Sequence, residues 1–133
     1  MDATLIELVR DIDRVLDAPS TDPHSRDELL ARVERLRDAW VQHRARWESD
    51  DGLYHDLTET EPRVTPAVRR LRDDSLRLLT SCEVALATIR RPDASDDDIR
   101  RVTRDVTRHV ERHLSLAAAA THDAVAVDLG SDA

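Results

Sequence analysis

The chain contains no lysine, a single cysteine and only two glycines, and each scarcity removes a class of protein. Glycine occurs at 52 and 130 and proline at 19, 23, 62, 66 and 92, so the long stretches between them read as helix rather than as strands punctuated by turns. All 20 cationic side chains are arginine, a sign of codon bias toward a GC-rich genome, and 28 acids outnumber them. A net charge of -8 and a pI near 5.2 argue against a surface that neutralises nucleic-acid phosphates or anionic lipid, since both need a concentrated cationic face. Cys82 has no partner for an internal disulfide, and Met1-Asp2-Ala3-Thr4 lacks the basic-then-apolar pattern of a signal peptide, so the expected location is the cytoplasm. The most apolar segment, Leu114 to Leu129, is broken by His122, Asp123 and Asp128 and falls short of the ~20 residues of a membrane span.

At 133 residues the chain has the size of one domain, expected to span 1–133 with a short flexible tail from about 128 to 133. Four amphipathic segments fill it. The first runs from about Ala3 to Asp17, with Leu5, Leu8, Val9, Ile12, Val15 and Leu16 on one stripe, and ends at Ala18-Pro19-Ser20. The second begins near Pro23, where Ser25 and Glu28 have capping-box spacing, and carries Leu29, Val33, Leu36, Trp40, His43 and Trp47. The pattern weakens between Glu48 and Pro62, where Leu53, Tyr54 and Leu57 suggest a short turn packed on the bundle end. The third segment opens at Thr65-Pro66 and shows Val68, Leu71, Ser75, Leu78, Cys82, Leu86 and Ile89. The fourth opens at Ser95 with acids at 96 to 98 and shows Ile99, Val102, Val106, His109, His113, Leu116, Ala117 and Ala120. Four such stripes joined by short connections predict an all-α, up-and-down antiparallel four-helix bundle.

Three histidines and a serine interrupt stripes otherwise made of Leu, Val and Ile, and an unpartnered buried polar group costs about 1–3 kcal/mol. His109 and His113, four residues apart, have the spacing with which one helix presents two imidazoles to a metal ion, and His43 could add a third from another helix. The competing reading is that each imidazole satisfies a backbone carbonyl or a carboxylate. His24, His55 and His122 fall at ends or in loops and are expected in solvent, while Cys82, among apolar neighbours, reads as an inert core thiol. No Ser/His/Asp, Gly-rich or paired-Cys motif appears, so no catalytic residue is expected.

From about Leu36 to Gly130 the chain resembles the hemerythrin-like (HHE cation-binding) domains. The resemblance rests on the order and spacing of Trp40 to Glu48 (WVQHRARWE), Gly52-Leu53-Tyr54, Glu61-Pro62-Arg63, Val68-Arg69-Arg70-Leu71 to Leu79, Arg112-His113 and Val127-Asp128-Leu129-Gly130. It implies a four-helix bundle whose His and carboxylate side chains hold a non-haem di-iron site, used by different members for oxygen binding or sensing, peroxide handling or iron-related roles. Carried over by position, His43 and Glu48 match the His-plus-carboxylate motif of the second helix, His113 a fourth-helix histidine, and Asp123 stands where a glutamate is usual; His109 has no counterpart in that alignment and is an added candidate ligand. The sequence departs from that pattern at Ser75, where a histidine is expected, at Ala119, where an acid is expected, and at Val9 or Arg10, where some members carry a histidine. Three or four ligands remain where a di-iron centre needs roughly five to seven, so the expectation is a reduced or vestigial site for iron or another metal. The alternative is a metal-free bundle that binds a protein partner or a second copy of itself.

Overall fold

A computed structural model describes residues 3–18, 24–49, 52–60 and 62–131, with side chains described at all of these except 60, 62 and 123–131. Its elements are α1 (Ala3–Asp17), α2 (Ser25–Glu48), the short α3 (Leu53–Thr60), a 3-10 turn (Pro62–Val64), α4 (Thr65–Arg90) and α5 (Asp96–Ser131), with no strand among the described residues. The chain is therefore all-helical, and α1, α2, α4 and α5 form a four-helix bundle. The packing closes into a ring in which α1 and α4 each lie against both α2 and α5. Along α2, Glu34, Arg37 and Glu48 pair with Arg90, Glu83 and Arg72 of α4 at 3.1, 3.7 and 3.2 Å, so residue numbers rise on one helix as they fall on the other. Asp11 of α1 meets Arg32 of α2 at 3.8 Å. Arg104 of α5 meets Asp17 at the end of α1 at 3.0 Å, and Arg100 binds the Leu16 carbonyl.

Each stripe buries the residues its spacing selects, with informative exceptions. Leu5, Val9, Ile12 and Leu16 of α1 meet Leu29, Val33, Leu36 and Trp40 of α2 and Leu78, Cys82, Ala85, Leu86 and Ile89 of α4 in the main core. Along α5 the buried line is Ile99, Thr103, Val106, Thr107, Val110, His113, Leu114, Ala117 and Ala120. Leu116, expected on that line, is instead 56% exposed, because the stripe advances through Val110, His113, Leu114 and Ala117 and leaves position 116 on its shoulder. Thr103 and Thr107 are tolerated inside because their hydroxyls donate to carbonyls of their own helix, Ile99 at 2.7 Å and Arg104 at 3.0 Å. The helix starts also differ from expectation. Ser25 and Thr65 already lie within their helices rather than capping them, whereas Ser95 does cap α5, its Oγ accepting the Asp98 N–H at 3.1 Å.

Helix length divides the interior in two. With 15 residues, α1 spans only about 22 Å at 1.5 Å per residue, against 24 residues in α2 and 26 in α4. Beyond it, the far end of the bundle is closed by α3 and the 3-10 turn, which bury Tyr54, Leu57 and Val64 against Val68, Leu71, Ala117 and Ala120. The start of α3 packs closely on the end of α2 at Gly52, where a Cβ would collide with the Arg46 and Trp47 carbonyl oxygens, so only glycine's missing side chain permits this approach. No helix among the described residues is long and apolar enough to cross a membrane.

Candidate functional site

Three of the buried polar residues, His43, Ser75 and His113, share one layer of the bundle, between its two apolar clusters. On α2, His43 lies between Trp40 of the main core and Trp47, which packs on the far cluster. On α4, Ser75 lies between Leu71 and Leu78; on α5, His113 lies between Val110 and Ala117. Trp40 organises this layer. It is fully buried, its ring stacks on His43 at 5.0 Å and meets His113 edge-on at 4.9 Å, and its indole N–H donates to the Ser75 carbonyl at 3.1 Å. His43 also packs on Trp47 at 4.8 Å and is 3% exposed, as its place on the stripe implies.

The residue that gathers the α5 histidines is Asp74. Its Oδ2 lies 2.7 Å from His113 Nδ1 and its Oδ1 2.9 Å from His109 Nε2, so one carboxylate from α4 takes an N–H from each of two imidazoles a helical turn apart on α5. The Ser81 hydroxyl, which also reaches the Arg77 carbonyl at 3.1 Å, lies 3.3 Å from His109 Nδ1. Burial pushes the Asp74 carboxyl up, but the hydrogen bonds from His109 and His113 outweigh it and hold the group below its ordinary value. Burial lowers His113, which the bond to Asp74 only partly offsets; with Nδ1–H committed to Asp74, its buried Nε2 has no hydrogen-bond partner. Asp74 stands three residues after Leu71 and four before Leu78, on the shoulder of the α4 stripe, and this spacing was the available signal for it.

Both shifts mean that the unfolded chain binds these protons more readily than the folded one. Stability should therefore decline as pH falls below the ordinary imidazole value of 6.5, where His113 resists protonation, and decline again through and below the ordinary carboxylate value of 3.8, where Asp74 loses its charge. Urea midpoints measured across that range should show the first decline in the native chain and lose it in His113→Gln. An identical first decline in the variant would contradict the assignment.

The remaining expected ligands are placed elsewhere or employed otherwise. Glu48 is exposed, and its carboxylate pairs with Arg72 at 3.2 Å. That arginine also lies 5.2 Å over the ring of Tyr54, whose hydroxyl is pushed up to about 12 by burial and by the Glu48 charge. Five residues from His43, Glu48 leaves the helix on another face, as the 3.6-residue period requires. The side chain of Asp123 lies outside the described residues, and so do residues 132 and 133 of the expected tail, whose first part, 128 to 131, belongs to α5. Cys82 is fully buried and its thiol is pushed up to about 12, so it is a core residue without nucleophilic character. His55 is exposed and pairs with Glu59 at 3.3 Å, and His24 and His122 are exposed.

Among the described residues no group of three or more His, Cys, Asp or Glu side chains is placed to hold a metal ion. These residues do not fit a di-iron centre in this arrangement: the carboxylate nearest the histidines is occupied by their N–H groups, the α2 carboxylate faces Arg72, and α4 offers Ser75 in place of an imidazole. No protein-family model, curated protein or solved structure matches the chain.

Proposed function

We propose that this chain is a hemerythrin-like domain, an up-and-down antiparallel four-helix bundle, in which the vestigial metal region is closed by the protein's own side chains and which works as a metal-free module pairing with a second copy of itself. The observation that carries this reading is the double engagement of Asp74 by His109 and His113, which spends on internal bonds the groups an ion would need. The opposed numbering of the α2–α4 ion pairs, and the meeting of the end of α1 with the first turns of α5, support the up-and-down topology. A cytoplasmic location is in keeping with a lone, buried, unreactive thiol.

Self-pairing is supported by the surface around Leu116. The side chain borders a shallow groove with Ala67, Leu71 and Ala119, where small residues let another helix approach closely. Beside it Arg108, Glu111 and Arg112 supply both signs of charge, as a two-fold contact of one surface with itself requires. Light scattering on purified protein should give the mass of a dimer, and Leu116→Glu should give that of a folded monomer. A native chain that is monomeric at high micromolar concentration would remove the pairing.

A second reading, a reduced site for one iron or zinc ion held by His113 with His43, His109 and a carboxylate, is favoured by one feature. The His113 Nε2 is buried, carries a lone pair and has no hydrogen-bond partner. Such an atom calls for an ordered water or an ion. Metal retained by the native chain and lost in the His43→Ala/His113→Ala double variant would establish this reading over the first.

A further inference from the structure

The sequence holds no local Ser/His/Asp motif, yet the fold assembles those three groups in line from two helices. Ser81 Oγ lies 3.3 Å from His109 Nδ1, and His109 Nε2 lies 2.9 Å from Asp74 Oδ1. With the Nε2 proton facing the carboxylate, Nδ1 is left as an acceptor beside Ser81. This is the logic by which a buried acid fixes the tautomer of a general base beside a nucleophile. At rest the Ser81 hydroxyl donates to the Arg77 carbonyl at 3.1 Å and must turn from it toward Nδ1 before the base can act. Asp74 is itself fixed from the other side by His113 at 2.7 Å. Ser81 borders a surface groove of ≈160 Å³ lined also by Thr80, Val84, Val102 and Asp105, so a small molecule can reach the hydroxyl while His109 stays largely covered.

We infer that Ser81 is a base-activated nucleophile toward small, neutral, activated acyl esters. Two valines favour an apolar acyl group in the groove, and Asp105 disfavours an anionic one. In the step, the Ser81 oxygen bonds to the acyl carbon as its proton passes to His109 Nδ1. The bond from that carbon to the leaving alkoxide or phenoxide then breaks, and the departing anion carries the electron pair. The backbone N–H groups around Ser81 belong to the α4 hydrogen-bond ladder, so no oxyanion hole is supplied, a lack worth about 10²–10³-fold in rate. The reaction is therefore confined to esters with good leaving groups and produces an acyl-serine that persists. Ser81 and His109 are the reacting groups, and Asp74 is a positioning residue.

With no lysine and with Cys82 buried, the competing side-chain nucleophiles are the exposed imidazoles of His24, His55 and His122, whose acyl adducts hydrolyse, so a lasting acetyl group on a side chain reports the serine. The full-length chain is treated with p-nitrophenyl acetate and the acetyl group is mapped by peptide mass spectrometry. The expected result is an acetyl group on Ser81, absent in Ser81→Ala and formed on the order of 10²-fold more slowly in His109→Gln. Asp74→Asn should slow it as well while shifting the His109 ring-nitrogen resonances to the other tautomer, a change that simple loosening of the fold would not produce. Circular dichroism confirms that each variant is folded. No acetyl group on Ser81, or acetylation of Ser81 at the same rate in His109→Gln as in the native chain, would overturn the inference.

Discussion

Replacing Trp40 with alanine should lower the unfolding free energy by about 3–5 kcal/mol, the range for truncating a fully buried large aromatic side chain. The side chain has no solvent exposure and joins three helices at once, stacking on His43 of its own helix, donating to the Ser75 carbonyl on α4 and meeting the His113 ring on α5. Such a loss is a large part of the 5–15 kcal/mol typical of a domain. Trp40→Phe separates the contributions, keeping most of the packing while deleting the indole N–H, and should cost less than the alanine variant. Urea unfolding followed by far-ultraviolet circular dichroism measures both. Equal losses in the two would mean that the hydrogen bond, and not the packing, holds this layer.

Asp74→Ala should be the next most damaging change, at about 2–4 kcal/mol, because it leaves two imidazole N–H groups in the bundle without their acceptor, at about 1–3 kcal/mol for each unsatisfied group, softened by the partial exposure of this edge. From the histidines alone, exchanging His109 and His113 for leucine would seem neutral or stabilising, since two buried polar rings disappear. The carboxylate reverses that expectation. With both imidazoles gone, Asp74 keeps its charge beside two leucines, so the double variant should be destabilised, whereas changing all three residues to leucine should restore most of the loss. Denaturation of the single, double and triple variants closes the cycle. A double variant as stable as the native chain would show that the three groups are not coupled.

The architecture was legible because it rests on periodicity. The apolar spacing in α1, α2 and α4 selects the residues that the bundle buries, and the placement of His43 and Ser75 in the interior followed from their stripe positions alone. Leu116 was misplaced because α5 has two registers of small and apolar residues close together near its Ala-rich run, and a one-residue difference rotates a side chain by about 100°. The site was less legible for a different reason. Asp74 and Ser81 stand on the shoulders of the α4 stripe, where a charged or hydroxyl residue ordinarily faces water, and only the neighbouring helix turns them into partners of His109. Spacing along one helix states which residues share a face; it does not state what waits opposite. Glu48 illustrates the same limit, since its neighbour in the chain is His43 but its neighbours in space are Arg72 and Tyr54.

In the proposed reading Asp74 is held by the N–H groups of His109 and His113 and so is withheld from a metal ion. Elemental analysis of freshly purified, tag-free protein tests it most directly. The account predicts iron and zinc far below one atom per chain, in protein that is nonetheless fully folded. One metal atom per chain, or two irons, would contradict it and show that the histidines leave Asp74 to hold an ion.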